Sequence, residues 1–131
     1  MSNESVLTGG CLCGGVQYKL SGELRSVVNC FCTQCQKTSG HHVAATRASL
    51  ENFELTNQDT LKWFSSSAGA RRGFCSNCGG NLFWQPIGAG TISVMAGTID
   101  KPTNLVTIDN IFVEDKSDYH DLPVIGSFAA S

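Results

Sequence analysis

The chain has 131 residues, enough for one domain over 1–131; two halves would each be too small for a core of their own without metals or disulfides. With 9 Lys and Arg against 11 Asp and Glu, the net charge is −2, which removes the basic surplus that phosphate-backbone binding needs and excludes nucleic acid as an expected partner. No apolar run approaches the roughly 20 residues of a bilayer span, and the start MSNESVLTGG lacks a secretory apolar stretch, so no membrane association is expected and a soluble, cytoplasmic protein is.

In chain order, apolar–polar alternation at Val16, Tyr18 and Leu20 predicts a first strand, and residues 26–31 a second. A short helix is expected over 33–38, then a strand over 42–47 and one helical turn over 49–52. Strands follow at 61–65, 72–74, 81–85, 91–94 and 107–113, with a polar loop at Ser65, Ser66, Ser67, Ala68 and Gly69 between the first two. Gly, Asn, Asp, Pro and Ser clusters separate these runs at short intervals, which predicts a mainly β domain with few short helical turns.

The seven cysteines carry the chemistry. An odd number, with no export signal, fits metal thiolates or catalysis better than disulfides. They fall into three groups: Cys11 and Cys13 as C-x-C, Cys30, Cys32 and Cys35 as C-x-C-x-x-C, and Cys75 and Cys78 as C-x-x-C. Glycines flank two of the groups, in TGGCLCGG and FCSNCGG, as zinc-ribbon-like knuckles require. If Cys11, Cys13, Cys75 and Cys78 close one tetrahedral zinc site, it staples an early strand to a later hairpin. Cys30, Cys32 and Cys35 then supply only three ligands, the number at which a metal keeps a position for water or substrate. Spacing supports two sites more strongly than this division; a second closed site with an outside ligand, or reduced core thiols, is the alternative. His41 and His42 follow closely enough for one of them to complete the trio, although consecutive strand residues face opposite sides, and the plainer reading is one packed ring and one solvated ring. His120, in DKSDYHDLP, reads as a surface residue.

The motifs GGCLCGGVQY, NCFCTQCQKTSG, RRGFCSNCGGNLFW and IFVEDKSDYHDLP together resemble the glutathione-dependent formaldehyde-activating enzymes, a family that includes centromere protein V. The resemblance spans nearly the whole chain. It implies a mainly β fold shared with zinc-binding exchange-factor chaperones and methionine sulfoxide reductase B, and two zincs per chain. One is structural, on Cys11, Cys13, Cys75 and Cys78, and one catalytic in type, on Cys30, Cys32 and Cys35. The implied reaction is that of a carbon–sulfur lyase, joining glutathione and formaldehyde into S-hydroxymethylglutathione or cleaving it. Three thiolates donate much charge to zinc, which favours thiol transfer over hydrolysis.

Glutathione brings two carboxylates, for which Arg71, Arg72 and Lys37 are the candidate partners; the alternative is a basic face that offsets the thiolates. Phe74, Phe83 and Trp84 read as core and shielding around the C-x-x-C pair, and Trp63 faces outward only if the strand alternation puts it there. Three features depart from the family pattern: Asn110 stands where relatives carry histidine, Tyr119 where they carry tryptophan, and DLPVIGSF is irregular. Asparagine hydrogen-bonds but does not titrate near neutrality. The competing function is a zinc-stapled module that binds a protein partner or a metal without turnover.

Overall fold

The computed structural model describes residues 6–125; residues 1–5 and 126–131, including the end of the irregular DLPVIGSF segment, lie outside the described residues. Among the described residues ten strands form two sheets. The smaller is antiparallel, in the order β1 (Leu7–Gly10), β2 (Gln17–Leu20), β5 (Phe53–Asn57). The larger has seven strands in the order β10 (Thr107–Ile111), β3 (Arg25–Cys30), β4 (Val43–Ser49), β9 (Thr91–Met95), β8 (Asn81–Pro86), β7 (Ala70–Cys75), β6 (Leu61–Ser67). β10 runs parallel to β3 and every other neighbouring pair is antiparallel.

Strand alternation gives the seven-stranded sheet two unlike faces. On one face Ala48 lies opposite Ile92 and Val94 opposite Phe83, all fully or almost fully buried, and Val16, Tyr18 and Leu20 from the small-sheet side complete that core. Phe83 is its centre, with ring centroids 5.5 Å from Tyr18, 5.1 Å from Phe53 and 6.0 Å from Trp63. The other face carries Val28 and Cys30 of β3, Val43 and Ala45 of β4, and Met95 of β9. Part of this second face is covered by α1 (Thr33–Ser39), whose residue Cys35 is buried in a smaller cluster with Val43, Ala45 and Met95.

The mainly β reading and the single short helix hold. The helix starts where Cys32 accepts a hydrogen bond from the Cys35 N–H and ends at Gly40, whose φ of 86° is the left-handed cap that a side chain would strain. Three details differ from the sequence pattern. β4 begins at Val43, so His41 and His42 belong to the connection from α1 and not to the strand. β6 runs through Ser67, because its pairing with β7 extends to Ala70 and leaves only Ala68 and Gly69 as the turn. β1 and β5 are additional strands: β1 is only LTGG, with a glycine pair that masks its alternation, and it is held by its ladder to β2.

Candidate metal centres

Cys11 and Cys13 stand between β1 and β2, Cys75 ends β7 and Cys78 lies in the turn from it to β8, with all four sulfurs within 4.8 Å of one another. The Sγ–Sγ separation is 3.8 Å for Cys11 and Cys13 and 3.5 Å for Cys13 and Cys75. A tetrahedron with Zn–S near 2.3 Å has edges of about 3.8 Å, so the donor set fits zinc. Backbone N–H groups already point at the sulfurs, from Val16 to Cys11 at 3.3 Å and from Asn77 and Cys78 to Cys75 at 3.3 and 3.2 Å. The Thr60 hydroxyl lies 3.1 Å from Cys75. These donors, the Cys78 N–H above all, hold the Cys75 thiol well below its ordinary value, and backbone N–H groups do the same for Cys78. Burial pushes Cys11 up. The turn closes through Gly79, at φ 80°, where the chain must reverse between Cys78 and β8.

The second group gathers differently. Cys30 is the last residue of β3, Cys32 caps α1, and Cys35 lies inside its first turn, so strand end and helix start bring the three sulfurs within 4.8 Å of one another. Among the described residues no histidine or carboxylate joins them. Cys30 is held below the ordinary thiol value, first by a hydrogen bond from Cys35 and further by Cys32 and the Arg72 guanidinium, while Cys35 is pushed up by the same bond and by burial. Metal binding needs the thiolate form of these sulfurs and would release their protons. Arg72 itself is buried. Its Nη2 donates to Cys35 Sγ at 3.8 Å and its Nε to Gln34 Oε1 at 3.3 Å, while the buried Nη1 has no partner.

A cleft of about 530 Å³ opens over this trio, floored by the second face of the large sheet. Its walls include Trp84, Met95 and Ile111, and three arginines reach it: Arg72, Arg25 and Arg47. Volume and apolar walls are those of a small-molecule site, and the cations suit an anionic ligand.

The sequence profile of the family "Glutathione-dependent formaldehyde-activating enzyme" matches residues 6–115. The chain belongs to this family. No curated protein matches it, but its fold is shared with the crystal structure of a Rhodobacter sphaeroides protein, at 21% identity and a TM-score of 0.64, covering 79% of this chain and 98% of that one.

Of the candidate anchors in this formaldehyde-activating-family chain, Arg72 alone lines the cleft over the trio. Arg71, its neighbour along the strand, faces the other way: its guanidinium lies 3.8 Å over the Trp63 ring and its Nε donates to Gln85 at 2.9 Å. Lys37 is exposed on α1 and is not among the lining residues. Phe83 is core, Trp84 faces the cleft, and Phe74 borders a separate groove with Trp63 and Phe64. Arg25 stands at the opposite end of β3 from Cys30, and only the pairing of β3 with β4 brings Arg47 beside it on the cleft face, so neither is singled out by the cysteine motifs.

The histidines form an aromatic cluster away from the sulfurs. His42 packs 4.7 Å from Phe31 with its buried Nδ1 unpartnered, and His41 is exposed and hydrogen-bonds Tyr119. His120 is half-buried and not a free surface residue, because its ring lies 5.8 Å from Phe31 and 4.5 Å from His41. Asn110 accepts from Asn29 Nδ2 at 3.1 Å and donates to the Pro123 carbonyl at 3.1 Å. Because it precedes the cleft residue Ile111 in β10, it lies on the opposite face of the sheet, and its departure from the family pattern concerns the anchoring of the C-terminal segment.

Proposed function

We propose that the chain is a zinc-dependent, carbon–sulfur lyase-type enzyme that forms or cleaves S-hydroxymethylglutathione from formaldehyde and glutathione. Family membership supports the pair of substrates. The observation that carries the reading to this site is a cleft over three sulfurs that no fourth protein ligand joins among the described residues. That arrangement also favours catalysis over a closed, purely structural second site.

Cys11, Cys13, Cys75 and Cys78 would hold one zinc, and Cys30, Cys32 and Cys35 the other. Bound to three thiolates, a zinc ion supplies a Lewis acid that favours the thiolate form of an incoming thiol or polarises an aldehyde oxygen. The protein's own part is binding and positioning. Trp84, Met95, Val28 and Ile111 wall the cleft with apolar surface and limit water around the reacting atoms. Arg72, anchored through Gln34 and Cys35, keeps an unpartnered Nη1–H for an anionic group or a developing oxyanion. In the reaction, the thiolate sulfur forms a bond to the aldehyde carbon while the carbonyl π pair moves to oxygen. That oxygen takes up the proton that the thiol released, with no change in oxidation state.

Exchange NMR on zinc-loaded protein tests this. The reading requires faster exchange between free formaldehyde with glutathione and their adduct than in buffer, and loss of that acceleration in Cys32→Ser. Exchange at the uncatalysed rate with both sites loaded refutes the substrate assignment.

A further inference from the structure

The register of the large sheet places five residues in one transverse row on the cleft face. Arg25 of β3 stands opposite Arg47 of β4, Arg47 opposite Ser93 of β9, Ser93 opposite Trp84 of β8, and Trp84 opposite Arg72 of β7. All five line the cleft. We propose that Arg25 and Arg47 form a carboxylate-binding subsite that selects thiols carrying an anionic group remote from the sulfur. The proposal rests on the reading of the cleft as a thiol site and deepens it.

Two like charges directly opposite on neighbouring strands destabilise a sheet, so the pair needs a reason to be there. Its neighbours in the row, Ser93 and Trp84, are neutral. The carboxylate that borders the cleft, Asp115, sits at the other end, where Gln36 Nε2 donates to its backbone carbonyl from α1 at 2.7 Å. Arg25 is half-buried and held: its Nη2 donates to the Ala45 carbonyl at 3.0 Å and its Nε to the Ser26 carbonyl at 3.2 Å. Those bonds use two of the five N–H donors and set the plane of the fork. Burial and the Arg47 charge together push the Arg25 guanidinium below its ordinary value, an unfavourable state that a bound anion relieves.

The spacing fits an elongated ligand. Cys30 pairs with Val43, and from Val43 to Arg47 is four residues, about 13 Å along the strand. An extended tripeptide spans roughly 10 Å, and the arginine side chains cover the remainder. The floor between the two ends is Val28, Ala45 and Met95, apolar side chains that offer an intervening chain no hydrogen bonds. Arg72 serves the sulfur end and the Arg25–Arg47 pair the far end, so a small uncharged thiol would leave the far pair unused.

The test is calorimetric titration of the zinc-loaded chain with glutathione and with glutathione diethyl ester, for parent, Arg47→Gln and Arg25→Gln. Arg47 is exposed, so its variant is expected to fold normally, with circular dichroism and zinc content as checks. The expected result is glutathione binding at least tenfold tighter than the ester to the parent, about 1.4 kcal/mol, with that preference lost in Arg47→Gln and ester binding unchanged. Equal affinity for both forms in the parent, an undiminished preference in Arg47→Gln, or no binding of glutathione to the parent overturns the proposal. Formaldehyde exchange is measured in parallel. Carboxylate-dependent binding without acceleration sinks the formaldehyde reading alone, and acceleration with an unchanged glutathione KM in Arg47→Gln sinks the subsite alone.

Discussion

Cys32 does two separable things, and a pair of substitutions distinguishes them. Its sulfur belongs to the trio, and the same atom caps α1 by accepting from the Cys35 N–H at 3.3 Å. Cys32→Ser keeps an acceptor that is a strong helix cap and removes a soft thiolate ligand; Cys32→Ala removes both. Zinc per chain, measured on protein purified without chelator and without air, is expected to fall from about two to about one in both variants. The cap is worth about 1 kcal/mol, so Cys32→Ala should melt ~3–5 °C below Cys32→Ser at equal zinc content. α1 is only seven residues long and carries Cys35 as well, so loss of the cap also loosens the second sulfur. One zinc per chain in the parent and in both variants would refute a metal on the trio, and superimposable melting curves would refute the cap.

Cys75→Ser should cost far more than Cys32→Ser, because Cys75 is fully buried and joins the β7–β8 turn to Cys13 across 62 positions; loss of soluble protein, or a first zinc lost together with cooperative melting, is the expected readout. Phe83→Ala removes the ring that Tyr18, Phe53 and Trp63 pack against, and chemical denaturation should show a loss of about 3–5 kcal/mol; a loss under 1 kcal/mol would deny Phe83 its central place. Arg72→Gln should raise the glutathione KM about tenfold or more with circular dichroism unchanged, as expected for loss of a charge-assisted bond worth roughly 1.5–3 kcal/mol. For pH, burial first, then the His41 and His120 charges, hold His42 below its ordinary value of 6.5, so the unfolded chain takes up that proton first. Its contribution is complete above pH 6.5 and is lost as pH falls from 6.5 through the folded-state value. His42→Phe should therefore flatten the fall of Tm between pH 7.5 and 5.5, and parallel Tm curves for parent and variant would contradict the assignment.

Local chemistry was legible in the chain itself. Thiols separated by one or two residues turn toward a common point when the backbone reverses, so the three local cysteine groups and the short helix after Cys32 were legible, whereas the joining of Cys11 and Cys13 with Cys75 and Cys78 across 62 positions came from the tertiary structure. Alternation similarly announced most of the strands, because a residue's face is a property of its nearest neighbours. The assignment of the anchors was another matter. Arg71 and Arg72 are adjacent in sequence, and only the pleat of β7 sends one to the Trp63 ring and the other to the trio. Asn110 was placed against Asn29 and away from the cleft by the parallel pairing of β10 with β3, a contact between segments some 80 residues apart. Arg25, Arg47 and Arg72 meet over one cleft because of four successive strand registers. Register between distant strands is set by the whole buried core, around Phe83 and Val94, and no local pattern of residues encodes it.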